Sequence, residues 1–420
     1  MEKISGGEVA GIEGATPVYE HGERSKNGVA NYFRFDRVEL AGSLGDLGTL
    51  LPIVVGMILI NKLSPTTVFL SFGLFYLITG YYYRLPIPVQ PLKAVGAIAI
   101  AYPHQITESV IGASGVLFSL ILLVLSLSGT LDRVARLFTQ PVVRGIQLAL
   151  GLIFLKKGIE LITTQSLFLS GVNGHLSQYQ INLGIGAAVF AMVLLLLDNK
   201  KIPAALAALG FGIVAGLFLG GLQNQRMGIG PTSVHLISPS LHDFWIAFIM
   251  LILPQIPLTI GNACVGTADM CNSVFPNSPM LSRTKAGRFA LTMGIANLPA
   301  GLFGAVPMCH GTGGLAAHYR FGARTGGAPI LIGVILVVLA LALGEFGLSI
   351  LALIPNSVLG VLLIFAGLEL CPLVRSLKSN EEFFVALLIA GIALAVPNMA
   401  WAFGIGIVAD LFIRRIGTKI

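Results

Sequence analysis

The stretches Ile181 to Leu197 and Pro329 to Leu343 are almost continuously apolar, and they are two of many such runs in this chain. Each approaches the roughly 17–25 residues that carry a helix across a bilayer. Lipid offers a backbone no hydrogen bonds, so runs of this length are confined to helices that satisfy their own N–H and C=O groups. Composition agrees. Of 420 residues 55% are hydrophobic and 11% charged, against about 25% charged in soluble domains, and the mean hydropathy is +0.87. The sequence predicts an all-α polytopic membrane protein. Its net charge of +7 then belongs to cytoplasmic loops rather than to nucleic acid. The first 37 residues are polar and lack an apolar signal core, so 1–37 is expected to be a cytoplasmic N-terminal tail.

Apolar runs bounded by charge or proline place fourteen spans at 38–60, 65–83, 88–101, 109–128, 140–156, 181–197, 202–220, 241–262, 286–306, 310–321, 328–344, 347–370, 382–397 and 399–414. The third and tenth are too short and too glycine-rich or polar to cross alone, and are predicted to be half-helices. With the N-terminus inside, the outer side receives only Lys62, Lys156, Lys157 and Arg226, and Lys93 falls inside a span. The rest of the 26 lysines and arginines lie inside, with the C-terminus. The two halves echo one another, as GFGIVAG at 210–216 does GIGIVAD at 404–410. Seven spans per half is an odd number, so 38–220 and 241–415 are expected to be inverted repeats. Such repeats place a substrate site near the midplane, between discontinuous helices.

Two passages carry the chemistry. In PIPVQPLKAVGAIAIA, 86–101, three prolines in six residues make an extended lead-in. Pro91 suits a first helical turn, leaving the N–H groups of Leu92, Lys93 and Ala94 without helical acceptors. In VPMCHGTGGLAAHYRFGART, 306–325, Pro307 leads in, Cys309, His310 and Gly311 form the turn, and the N–H groups of Thr312, Gly313 and Gly314 open a short helix. Two helix N-termini meeting at midplane present converging N–H donors and positive dipole ends, which suits an anion. Gln90 and Thr312 add neutral donors and Lys93 a full charge.

PVQPLKA together with FGAVPMCHGTGGLAAHYRFGAR resembles the two signature segments of the molybdate transporter family, a branch of the sulfate-permease superfamily, with the likeness running from about residue 35 to 415. The resemblance implies a uracil-permease-like fold of seven plus seven spans. In that fold a core domain (38–128 plus 241–344) moves against a gate domain (140–220 plus 347–414), with the site between spans three and ten, flanked by one and eight. Unlike ordinary sulfate permeases, the chain is expected to carry no C-terminal regulatory domain, because little sequence follows its last apolar run. Leu92, Thr312 and His318 depart from the family pattern and bear on which oxyanion is preferred.

Several residues keep two readings. Gln90 contacts ligand or pins the lead-in to a neighbouring span; His310 lines the substrate and senses protons, or packs; His318 is interfacial. Asp46 is a coupling group or the ion-pair partner of Lys93. Thr259 and Asn262 contact ligand or its waters. Glu160, Glu345 and Glu369 lie near span ends and are expected to face water. Cys264, Cys271, Cys309 and Cys371 form no CxxC pair and read as buried thiols; no metal, cofactor or catalytic set is expected.

The function these readings support is secondary transport of a tetrahedral oxyanion, molybdate first, with sulfate or tungstate behind it. A nucleobase or organic-anion carrier is the runner-up, disfavoured because Asn262 and Gly311 to Gly314 stand where acids would be expected. An intramembrane enzyme using Cys309 and His310 is the reading from another class. The expected partners are the oxyanion, the lipid bilayer of a plasma (inner) membrane, a coupling proton and a second copy of the chain, with no nucleic acid.

Overall fold

The computed structural model describes residues 32–169, 176–197, 199, 203–219, 221, 228, 230–396 and 398–416. Most of the predicted N-terminal tail lies outside these residues, as do Lys200, Lys201 and Arg226. Helix α1 (Arg37–Ser43) starts at Asp36, whose carboxylate accepts from the N–H groups of Val38 and Glu39, and these bonds hold its pKa below the usual carboxylate value. It meets α2 (Leu47–Ile60) at a 49° bend, and Asp46 is the residue that begins α2. Helix α3 (Pro65–Tyr83) follows, capped by the Ser64 hydroxyl. A two-residue strand, β1 (Gln90–Pro91), leads into α4 (Lys93–Ala101). Then come α5 (Glu108–Leu127), α6 (Leu131–Ala135), α7 (Gln140–Ile162), α8 (Leu176–Leu196) and α9 (Ala204–Phe218).

The second half opens with a helical rod from Leu241 to Val274 that changes pitch: α10 (Leu241–Ile246), a π-helical stretch (Ala247–Ile252), α11 (Leu253–Leu258), a second π-helical stretch (Thr259–Gly266) and α12 (Thr267–Val274). Pro254 and Pro257 cannot donate to the preceding turn and crowd its carbonyls, and the wider π pitch flanking them accommodates both effects. Helix α13 (Ala286–Leu302) precedes β2 (Met308–Cys309), which leads into α14 (Thr312–Arg320). Helices α15 (Gly327–Ala352), α16 (Asn356–Leu370), α17 (Asn380–Ala395) and α18 (Met399–Ile416) complete the chain.

Each apolar run read from the sequence overlaps helical structure, with several boundaries displaced: the third run is helical only from Lys93, the fifth continues to Ile162, the eighth to Val274, and the ninth stops at Leu302. The run at 347–370 is divided: α15 turns by 93° after Ala342 and continues to Ala352, and α16 starts only behind Pro355, whose ring cannot continue the preceding helix. Among the described residues, four helices are individually long and apolar enough to cross a membrane, and two bent pairs would make six. The remaining helices are shorter or more polar and are held by packing. Glycines face one another where helices approach closest: a Cβ on Gly115 would lie 2.7 Å from the Gly301 Cα, so α5 and α13 touch backbone to backbone.

Candidate anion site at the crossing of two short helices

Strands β1 and β2 pair antiparallel, Gln90 opposite Cys309 and Pro91 opposite Met308. Each leads into a helix, so α4 and α14 leave the crossing in opposite directions with both N-termini at it. The crossing is fixed from several sides. The Leu92 N–H donates to the Pro307 carbonyl at 2.9 Å. Asn297 of α13 acts as a surrogate strand: its Oδ1 accepts from the Met308 N–H at 2.7 Å, while its Nδ2 donates to the Met308 carbonyl at 2.7 Å and the Met293 carbonyl at 2.8 Å. The proline lead-in has carbonyls that no helix claims, and two imidazoles from the opposite half take them. His310 Nδ1 lies 2.8 Å from the Pro88 oxygen and His318 Nδ1 2.9 Å from that of Pro86. A ring nitrogen facing a carbonyl must carry the proton, so both donate through Nδ1.

This placement moves His310 away from the role of substrate contact. Its ring is enclosed by Phe75, Tyr83 and Phe289, with centroids 5.1, 5.6 and 5.2 Å away, and its Nε2 lies 3.3 Å from the Thr292 hydroxyl. His318 is fully buried rather than interfacial. Both act on the lead-in.

Gln90 and Asp46 form the centre. Gln90 Nε2 donates to both Asp46 carboxylate oxygens, at 2.7 and 2.9 Å, and both side chains are buried. The carboxylate therefore has an amide partner, and the ion pair with Lys93, one of the two readings of Asp46, does not form among the described residues. Gln90 Oε1, equally buried, has no hydrogen-bond partner. The glycines of α14 make room for this pair. A Cβ on Gly311 would collide with Gln90 Oε1, and one on Gly314 would lie 2.6 Å from Asp46 Oδ2 and 2.7 Å from Gln90 Nε2. Asp46 thus lies against the first turn of α14, where the helix dipole favours negative charge.

The converging donors are fewer on α4 than the sequence reading allowed. Leu92 N–H is taken by Pro307, and Ala94 N–H by Gln255 Oε1 at 2.9 Å, so Lys93 and Val95 supply the N–H groups of that helix ahead of its first helical bond, Gly96 N–H to the Leu92 carbonyl. Gln255 is held in turn by donating to the Thr259 hydroxyl at 3.0 Å, which makes buried Thr259 a support rather than a wall of the site. On α14 the N–H groups of Thr312, Gly313 and Gly314 precede the first helical bond, Leu315 N–H to the Gly311 carbonyl. The Thr312 hydroxyl donates to the Asn262 carbonyl at 3.0 Å. Pro91 and Leu92 are buried and contribute backbone alone.

What faces open space is a small set: Gly313 and Gly261 are exposed, and Lys93, Asn262, Thr312, Gly48 and Thr49 are half-buried. A Cβ on Gly313 or Gly261 would meet nothing within 4 Å. The set offers one ammonium, helix N–H donors, an amide and hydroxyls, which is the chemistry of a hydrated divalent anion. Cys264, Cys271 and Cys309 are buried and Cys371 half-buried. No group of three or more metal-ligating side chains forms among the described residues.

Sequence reasoning missed two polar residues in this region, Gln255 and Asn297, and gave a third, Glu369, no part in it. Gln255 stands between two prolines in LPQIP as Gln90 does in VQP, a parallel that marks both as lead-in or cap residues. Glu369 is set near a span end by sequence, yet its Oε2 accepts from the Thr49 hydroxyl at 3.1 Å, one turn beyond Asp46.

A family model described as "Molybdate transporter of MFS superfamily" matches residues 38–154 and 247–370. Molybdate transporter 2 of Arabidopsis thaliana is 31% identical over 410 residues, covering 90% of this chain and 87% of that protein. Molybdate transporter 1 of Chlamydomonas reinhardtii is 29% identical, covering 88% and 90%. Among solved structures, the transmembrane domain of a cyanobacterium bicarbonate transporter, BicA, aligns with a TM-score of 0.62 at 16% identity, over 90% of this chain and 97% of that one. Murine Slc26a9, an anion transporter, aligns with a TM-score of 0.65 at 15% identity, over 91% and 69%. The fold is that of BicA and Slc26a9.

Proposed function

The chain belongs to the molybdate transporter family, and from that premise we propose that it is a secondary active transporter of molybdate that works by alternating access. It is an integral membrane transporter rather than an enzyme, and its substrate is an oxyanion. The finer reading has fourteen spans as inverted repeats of seven, with α4 and α14 as half-helices, and both termini on the cytoplasmic side of the plasma membrane. The core body (38–128 plus 241–344) carries the site and moves against the gate body (140–220 plus 347–414).

The observation that carries this reading is the open space at the crossing of α4 and α14, where Lys93, Asn262, Thr312 and Gly313 face outward over unused N–H groups. A tetrahedral dianion there would meet the donors of α14, the Lys93 ammonium and N–H, and the Asn262 amide. Gln90 orients Asp46 behind them. An ionised Asp46 beside a dianion is repulsive, so protonation of Asp46 favours loading, and a proton travelling with the anion is the coupling we propose. Asn262, which stands in TIGNAC where Asp46 stands in SLGDLG of the first half, cannot titrate, which makes the coupling one-sided between the repeats.

The test is binding of labelled molybdate to the purified protein, competed by tungstate, sulfate and phosphate. Displacement by tungstate with weak competition from sulfate supports molybdate; equal displacement by sulfate makes the chain a general oxyanion carrier. Failure to bind any of them removes the site.

A further inference from the structure

We propose that Glu369 is the gate body's contact with the anion site, a latch to Thr49 that an arriving dianion releases. The inference rests on the core-and-gate reading above. The bond from the Thr49 hydroxyl to Glu369 Oε2 joins the two bodies side chain to side chain, outside the backbone of α15 that runs from one into the other. Beside it the contact is apolar, as where a Cβ on Gly56 of α2 would touch Leu363 of α16 at 3.9 Å. Apolar contacts slide without breaking specific bonds, so a polar link between the bodies holds position.

Thr49 lies in the first turn of α2, which Asp46 begins, and a Cβ on Gly48 would lie 4.0 Å from Glu369 Oε1. Glu369 is exposed and lies beside half-buried Gly48 and Thr49. The charges of Glu369, Asp46 and Lys93 act on one another. With the site empty, the two carboxylates share the field of Lys93. A bound dianion takes that ammonium and repels Glu369, weakening the carboxylate's hold on Thr49 and freeing the core to move. Occupancy is thereby read by the gate without Glu369 touching the anion.

The experiment compares the full-length wild type, Glu369→Gln and Thr49→Val in lipid nanodiscs by molybdate binding and by hydrogen exchange at 44–50 and 366–372. In wild type, molybdate should speed exchange in both segments. Thr49→Val, lacking the bond, should show that faster exchange before any anion is added. Glu369→Gln keeps an acceptor without the charge, so it should bind molybdate more tightly, by about tenfold for the loss of one nearby like charge, while its exchange no longer responds to the anion. If wild type binds molybdate and exchange stays unchanged, or if Glu369→Gln matches wild type in both measurements, the latch is wrong and the transport reading stands. If wild type binds no molybdate, both fall.

Discussion

At the scale of single residues, the site depends on which glycines face a neighbour and which face space. Gly314→Ala puts a methyl against Asp46 and Gln90 at contacts too short to hold, and is expected to split that pair and weaken molybdate binding by about tenfold or more, roughly 1.4 kcal/mol. Gly313→Ala meets nothing and should bind normally. Gly313→Val also folds, because the space is open, but its branched side chain covers the α14 donors; uptake should be lost with the thermal midpoint of the empty protein nearly unchanged. Normal uptake by Gly313→Val would mean that the anion does not sit on those N–H groups. Gln90→Ala removes the two hydrogen bonds to the buried Asp46 carboxylate. It should cost about 1–3 kcal/mol in binding or stability, and a calorimetric titration showing wild-type affinity would exclude Gln90 from organising the site.

At the scale of elements, two strands of two residues each hold a crossing together only because other elements complete their bonding. Asn297 serves both backbone groups of Met308 from α13. Asn297→Ala therefore strands the buried N–H and carbonyl of Met308, each costing about 1–3 kcal/mol when unmade. A drop in thermal stability together with lost uptake is expected, in contrast to Gly313→Val, which loses uptake alone. A stable Asn297→Ala protein would show that the strands need no lateral support. The imidazoles play the same part on the lead-in, and His310→Gln, whose amide can still donate to the Pro88 carbonyl, should retain more uptake than His310→Leu, compared in one uptake assay.

At the scale of the whole molecule, the proposed span count fixes which loops share a face. Lys62 follows the first span and Arg375 the twelfth, with an odd number of crossings between them. Cysteines placed at these two positions are expected to label from opposite sides of the membrane with an impermeant reagent. Labelling from the same side would remove one crossing, and with it the inverted symmetry that makes α4 and α14 equivalent. The alternating-access reading adds that molybdate should change the labelling rate of a cysteine at Gly261, on the exposed side of the site.

The sequence alone determined the helical membrane class and the two passages that cross, but not where the helices end. Apolar length and proline placement are local properties, and lipid leaves the backbone few alternatives. It also set Gln90, Lys93, Thr312 and the glycines of 311–314 in one region, because prolines and glycines at those positions dictate where helices can start. The tertiary structure decided which partner each polar group takes. Asp46 was equally suited to Lys93 or Gln90 by residue type, and the antiparallel register of β1 on β2 brought the amide to it. His310 reads as a site residue by adjacency in the chain, but the fold turns its ring toward Pro88 and three aromatic rings. Glu369 lies more than three hundred residues from Thr49, and only the packing of α16 against α2 places its carboxylate at the mouth of the site. Distances of that kind are set by helix packing across the chain, and no local pattern in the sequence encodes them.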